Sequence, residues 1–315
     1  MAGTGDNCMT FMTAASFAST VELGIIYAIM ALGVFISFRT LNIPDLTVDS
    51  SFTLGAAFSA VLCTSGHPEL GLGAALLAGC LAGCVTGLLN TKLKIQPLLA
   101  GILVMLGLYS INLKVMGGRA NIPLLNQTTV FDILQGTSLA GYAEWLIPLA
   151  MLLFVTLFLL WFLKTKLGFV LRATGDNDQM VRALGVNTDT LIVLGLAISN
   201  GLVALSGALI AQYQSFADVS MGIGMVIIGL ASVIIGEVLF GLNPLWRRLL
   251  AVIMGAVLYR LVIAWALELG MPPTDLKLVS AIIVALALAM PVIKRYLEQL
   301  KRKLNAARQE RGGRV

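Results

Sequence analysis

The sequence predicts an all-α, polytopic membrane protein of about nine transmembrane helices, with a short cytoplasmic helix between the fifth and sixth. Three observations predict it. First, 58% of the 315 residues are hydrophobic, only 12% are charged, and the mean hydropathy is +0.92; soluble domains carry about 25% charge. Second, apolar runs near the length of a membrane span recur along the whole chain. They are continuous rather than alternating, which excludes a β-barrel. Third, the basic residues are segregated. With the N-terminus outside, 17 of the 21 Lys and Arg fall on the cytoplasmic side; Lys114, Arg119 and Lys277 fall outside and Arg260 within a span. That asymmetry sets orientation and favours an odd number of spans.

In chain order, the spans are expected at 18–38, 46–64, 71–91, 97–114, 144–163, 190–213, 221–240, 249–269 and 276–293. Residues 1–17 contain no Lys or Arg, unlike the basic start of a signal peptide, so they are expected as an extracytoplasmic N-terminus with the first span retained. Residues 18–293 make the transmembrane domain, 164–189 a cytoplasmic loop, and 294–315 a basic cytoplasmic tail. The net charge of +5 owes much to that tail, "KRYLEQLKRKLNAARQERGGRV". A basic flank on a last span suits anionic membrane lipids rather than nucleic acid.

Four cysteines and one histidine, His67, form no CxxC pair or Cys/His cluster, so no metal site is expected. A Cys8–Cys63 bridge is open if both face outside. No His, Ser and acid stand at catalytic spacing, so an enzyme is not expected. In the third span, Gly79, Gly83 and Gly87 repeat every four residues, a ladder that admits a second helix closely, within the bundle or across a dimer. The segments "PDLTVDSSFTLGAAFSAVL" and "ADVSMGIGMVIIGLASVII" echo one another, each passing from an Asp into a Gly- and Ala-rich span. Internal repeats of this kind are common in transporters.

Two polar passages interrupt the oily chain. "TGDNDQMVRALGVN" fits a short helix over 176–185. Asp176 is the expected N-cap with Gln179 reaching back to it, Asp178 favours the positive end, and Gly185 closes the helix. Met180, Val181 and Leu184 share a face. A helix of two or three turns is not stable alone in water, so it packs on the bundle or membrane surface, or on a partner; both readings are open.

"RTLNIPDLTVDSSFTLG" is the second passage. Pro44 breaks the chain, and Asp45 or Thr47 is expected to cap the next helix, with Asp49 at its positive end. The alternative is a broken helix lining a solute pathway through Asn42, Asp45, Thr47, Asp49 and Ser50. Glu22, Glu237 and Arg260 are ionisable residues within spans, which normally face the bundle interior. Glu237 and Arg260 are expected to form an ion pair or to line the pathway, and Glu22 to sit at the outer interface. Ser199, Asn200 and Ser206 either line the pathway or bond to neighbouring backbone. The long loop "GGRANIPLLNQTTVFDILQGTSLAGYAEW" is expected outside.

Together "GFVLRATGDNDQMVRALGVNTDTLIVLGLAISNGLVALSGALIA" and "IIYAIMALGVFISFRTLNIPDLTVDSSFTLGAAFSAVL" resemble permeases of ATP-binding cassette (ABC) transporters of the branched-chain amino acid type. The second is closest to a bacterial subgroup associated with tryptophan- or tyrosine-like binding proteins, which carries "IPDLTVDGSFTLGAA"; Ser50 or Ser51 stands here where that subgroup has Gly. The likeness covers roughly residues 20–295. It implies an importer of an amino acid or similar solute in a bacterial inner membrane. It implies a second permease copy, an external binding protein, and a separate ATPase that binds ATP and Mg. It makes Asp176, Asn177, Asp178, Gln179, Met180, Val181, Arg182, Leu184 and Gly185 the ATPase-docking element. Met180, Val181 and Leu184 would fill its groove and Arg182 would pair with an acidic rim. This chain itself has no G-x-x-x-x-G-K-[ST] phosphate loop. An ion-coupled secondary carrier is the alternative, with Asp45, Asp49 or Glu237 as the coupled group.

Overall fold

The computed structural model describes residues 14–134, 143–241, 244–271, 275, 278–282, 285 and 289. The N-terminal thirteen residues, with Cys8, most of the expected ninth span and the tail 294–315 lie outside the described residues. The elements are α1 (Ala14–Val34), running into a π-helical turn (Phe35–Thr40), then α2 (Thr47–Thr64), α3 (Pro68–Thr91), α4 (Pro97–Val115), β1 (Asn121–Pro123) and a 3-10 turn (Val130–Leu134). They continue with α5 (Ala143–Lys164), α6 (Lys166–Asp176), α7 (Asp178–Ala183), α8 (Thr188–Gln214), β2 (Phe216–Asp218), α9 (Met225–Phe240) and α10 (Leu245–Glu268).

Local chemistry sets these boundaries. Pro68 and Pro97 start α3 and α4, where the missing N–H costs nothing. Thr165, Asn177 and Asn187 cap α6, α7 and α8 through side-chain oxygens that accept from Gly168, Met180 and Asp189 amides.

Six helical stretches among the described residues are long and apolar enough to cross a membrane: those of α1, α3, α4, α5, α8 and α10. Nine were expected. Two of the others form as helices: α2 with 18 residues and α9 with 16. At about 1.5 Å per residue α9 spans about 24 Å, less than the roughly 30 Å of a hydrocarbon core, whereas α2, one residue shorter than α4, is made less apolar by Asp49 and by its serines and threonines.

α1 and α8 are the centre of the bundle. Their apolar stretches are 83% buried, against 28–44% for α3, α4, α5 and α10. The outer helices turn Leu77, Leu81, Leu103, Leu106, Leu153, Phe154 and Trp161 outward, as helices facing lipid do. Lipid is as apolar as leucine, so these faces do not drive assembly; close packing of small residues does. The glycine ladder shows it. A Cβ at Gly79 or Gly83 would collide with the carbonyl oxygens of Asn200 or Leu196, and one at Gly87 would crowd Val193. The ladder is therefore the α3–α8 seam inside one chain. Ser199 and Ser206 join α8 to α1 by donating to the Gly33 carbonyl at 2.7 Å and the Ile26 carbonyl at 2.8 Å. Both are buried and bond to neighbouring backbone.

β1 and β2 pair antiparallel, Ile122 opposite Ala217. They close the end of the bundle opposite Arg39, Lys92, Lys94, Lys164 and Arg248, which the helix directions gather at one basic end. Cys63 is a buried free thiol.

Candidate functional site

Pro44 and the extended residues around it let the chain turn back into the bundle after α1. The π turn ends with Leu41 N–H donating to Ile36 O at 3.0 Å, and Ile43 N–H donating to Ser37 O at 2.9 Å. Asp45 is then fully buried. Its Oδ1 accepts from the amide of Thr47, the first residue of α2, at 2.9 Å, from one position outside the Leu46 cap, while its Oδ2 accepts from Asn200 Nδ2 at 2.7 Å. Asn200 stands near the midpoint of α8, so α2 begins halfway along the longest helix. The second span is broken within the bundle.

The start of α9 meets this break. Asp49, one turn into α2, accepts from Gly224 N at 3.0 Å and Val226 N at 2.8 Å. Its carboxylate thus serves the orphan amides of α9 rather than those of its own helix. Gly224 is left-handed, with φ +89°, which glycine adopts without strain. Gly33 abuts Ser199, and Gly229 abuts Val34, so α9 also begins near mid-bundle. Two helices that begin inside the bundle therefore direct their N-termini into one polar seam, the geometry by which transporters build solute sites without exposing irregular backbone to lipid.

The remaining predicted pathway residues divide. Thr47 Oγ1 lies 2.8 Å from Thr86 Oγ1, and Ser50 Oγ donates to the Met105 carbonyl of α4 at 2.9 Å; both are buried. Asn200 Oδ1 and Ser51 Oγ are buried without a hydrogen-bond partner. Asn42 is exposed at the basic end, left-handed with φ 56°, and lines a cavity of about 270 Å³ with Asn90, Thr174 and Asp178.

Glu237 does not pair with Arg260. It accepts from Arg39 Nε at 2.8 Å, because α9 descends to the basic end where α1 terminates. Arg260 instead stands over the Tyr27 ring at 4.3 Å, and Tyr27 stacks on Phe52 at 6.2 Å. Glu22 is buried and accepts from Tyr213 Oη at 2.7 Å, so it is an interhelical bond rather than an interface residue. Arg39, Tyr27 and Thr86 were missed. Arg39 had counted only as a flanking charge, and an aromatic ring or threonine in an oily helix gives no signal of its own.

The polar insert is two helices. α6, unforeseen, runs to Asp176, so Asp176 cannot cap the next helix. Asn177 does, with φ −157° and ψ 94°, its Oδ1 accepting from Met180 N at 3.0 Å. Gln179 is exposed and makes no return bond among the described residues. Gly185 has the expected left-handed φ, +80°. The sticky face is also redrawn. Val181 is 1% exposed and points into the protein, while Met180 is 50% and Leu184 74% exposed. A valine one residue after Met180 turns about 100° from it. Arg182 is half-exposed and bonded within the chain, with Nε to Asp178 at 3.1 Å and Nη2 to Asp189 at 2.8 Å.

The insert is wired to the seam. A Cβ at Gly175 would collide with the Thr40 carbonyl, and one at Gly195 with Leu41. α6 therefore rests directly on the turn that leads to Asp45.

Residues 16–290 match the family described as the branched-chain amino acid transport system permease component, and the chain belongs to that family. It is similar to a tyrosine transport system permease protein of Clostridioides difficile, 43% identical over 91% of this chain and 95% of that one. It is 36% identical to an uncharacterized protein of Rickettsia prowazekii, over 86% and 96% of the two chains. It is 29% identical to an autoinducer 2 import system permease protein of Salmonella paratyphi B, over 68% and 60%. No solved structure matches. The chain is thus a transmembrane permease of an amino acid transport family.

Proposed function

We propose that this chain is the membrane subunit of an ABC importer that moves an amino acid, of the tyrosine class, from an external binding protein into a bacterial cytoplasm. Two copies of the chain would form the translocation unit. Two ATPase subunits, binding ATP and Mg, would dock at the basic end, with the N-terminus outside and the C-terminus inside. The family membership and the tyrosine-transport relative support the solute class.

One observation carries the mechanism. Exposed Met180 on α7 and exposed Leu184 at its C-terminal end are joined through α6 to the Gly175–Thr40 contact, five residues before the buried Asp45. A push on α7 reaches the base of α1 without a flexible linker. The seam holds two carboxylates, Asp45 and Asp49, on two helix N-termini; an amino acid entering it would exchange its ammonium and carboxylate into these existing contacts.

The test is Leu184→Glu, a charge placed on the exposed apolar residue that ends α7. Co-purification with the ATPase and ATP-dependent uptake should both fall by tenfold or more, about the effect of one buried unpaired charge at an interface. Unchanged complex and uptake would remove α7 from the docking role. Uptake driven by an ion gradient in the absence of the ATPase would replace this reading with a secondary carrier.

A further inference from the structure

At the basic end, the π turn of α1, the outer face of α6 and the first turn of α10 enclose a cleft of about 230 Å³. Three guanidinium groups, Arg39, Arg172 and Arg248, line it with Phe35, Phe169 and Asp176. Arg39 uses Nε on Glu237. Arg172 uses Nε and Nη2 on the Gly168 and Leu163 carbonyls, at 3.4 and 3.1 Å, and lies over the Phe169 ring at 5.7 Å. These bonds fix the arginine stems and leave the terminal nitrogens of Arg39 and Nη1 of Arg172 without a bond among the described residues. Arg39 and Arg172 thus bring unbonded guanidinium N–H groups to a cleft whose one lining acid is Asp176.

We propose that this cleft binds the headgroup of an anionic phospholipid, a phosphodiester with a hydroxylated head such as phosphatidylglycerol. The phosphate accepts from the guanidinium groups, and a head hydroxyl donates to Asp176. Arginine presents the planar fork that phosphate oxygens prefer. The surroundings select a lipid. α6 is amphipathic, with Leu167 and Phe169 outward at 55% and 65% exposed, between Lys164 and Lys166 and the bundle. Trp246, next to a cleft residue, and Trp161, on the outward face of α5, are 53% and 66% exposed. Exposed tryptophans and an apolar helix face beside lysines mark the headgroup level of a bilayer. A cleft at that level opens to lipid, and basic pockets between spans hold anionic heads there. The reading is independent of ATPase docking.

The test uses the intact permease. Extracted from membranes and weighed by native mass spectrometry, it should retain phosphatidylglycerol over phosphatidylcholine. Arg172→Gln with Arg248→Gln should lower that retention about tenfold or more, given the attraction per basic residue, while Lys92→Gln with Lys94→Gln, at the same end but outside the cleft, should leave it unchanged. If the arginine variant does not fold, unfolding midpoints of the unaltered protein decide. Phosphatidylglycerol should raise the midpoint; phosphatidylcholine and inorganic phosphate at equal concentration should not. An equal rise with inorganic phosphate, equal loss in the lysine variant, or lipid retention unaffected by the arginine changes would each overturn the proposal. So would a variant that keeps its lipid and loses only the ATPase, which would assign the cleft to that partner.

Discussion

Asp49 on α2 accepts from the backbone N–H of Val226 on α9 at 2.8 Å, so one broken helix caps another across the bundle. The same carboxylate takes Gly224 N–H. Gly222 is pressed so close to the Asp49 carbonyl that no side chain would fit there. Removing the cap leaves two amides without acceptors in a place water reaches poorly. Asp49→Ala should destabilise the protein by about 1–3 kcal/mol, the cost of stranded donors. Asp49→Asn keeps one acceptor oxygen and should cost less. Unfolding midpoints in detergent order the three proteins, and equal midpoints for wild type and Asp49→Ala would show the contact to be idle. If the seam carries solute, Asp49→Asn should impair uptake out of proportion to its small loss of stability.

The α3–α8 seam makes a paired prediction from glycines of the same type in different surroundings. At Gly83 a Cβ meets α8 backbone, whereas at Gly107 on α4 it meets nothing within 4 Å. Gly83→Val should force the helices apart and cost at least the roughly 1–3 kcal/mol of overpacking. Gly107→Ala should be neutral or stabilising by up to about 1 kcal/mol from helix propensity. Thermal midpoints of the two variants therefore move in opposite directions or not at all for Gly107, and a loss of equal size at both positions would mean that the packing is misplaced.

The partner exchange at Glu237 is checked by two double-mutant cycles. Arg39→Gln with Glu237→Gln should show coupling; at 46% and 12% side-chain exposure it should be at most about 1 kcal/mol, as for screened surface pairs. Arg260→Gln with Glu237→Gln should be additive within about 0.5 kcal/mol, as for separated sites. Coupling found in the second cycle and absent from the first would restore the pairing that span order suggests.

What the sequence disclosed depended on how local the determining physics is. Helix positions were legible because apolar length is a local property, and the interval from Asp176 to Gly185 was legible because caps are read within four residues. The capping residue slipped by one because α6, amphipathic and bounded by Thr165 and Asp176, carries too little apolar length to announce itself in a chain this oily. The Gly79–Gly83–Gly87 ladder announced a close approach but not its partner, which needed the fold to bring α8 alongside. Glu237 was paired with Arg260 because neighbouring spans were taken as neighbouring charges. Depth along the helices overrules that: Glu237 lies at the basic end with Arg39, and Arg260 at the level of Tyr27. Asp45 and Asp49 were flagged by being acidic in an apolar setting, yet their acceptor roles on Asn200 and on α9 arise from contacts more than 150 residues away in sequence.

Asn200 offers the most direct test of the break in the second span. Its Nδ2 donates to Asp45 Oδ2 at 2.7 Å and to the Leu196 carbonyl at 3.1 Å, while its Oδ1 is buried and unbonded. Asn200→Ala removes the donor and leaves a buried carboxylate oxygen unserved, which should cost about 1–3 kcal/mol or more, since hydrogen bonds to charged groups are the costly ones to lose. Asn200→Asp sets a second carboxylate against the first, and like charges at this distance in a water-poor setting cannot both ionise. It should be the worse variant at neutral pH and recover toward wild type as the pH is lowered, because folding at neutral pH requires one of the pair to take up a proton that the unfolded chain also carries at low pH. Thr86→Val, which breaks only the hydroxyl contact with Thr47, leaves Asp45 fully bonded and should cost about 1 kcal/mol, the net worth of one neutral hydrogen bond. Unfolding curves at two pH values rank the three variants. A structure in which α2 simply continued α1, with Asp45 at a wet surface, would give Asn200→Asp no such pH dependence.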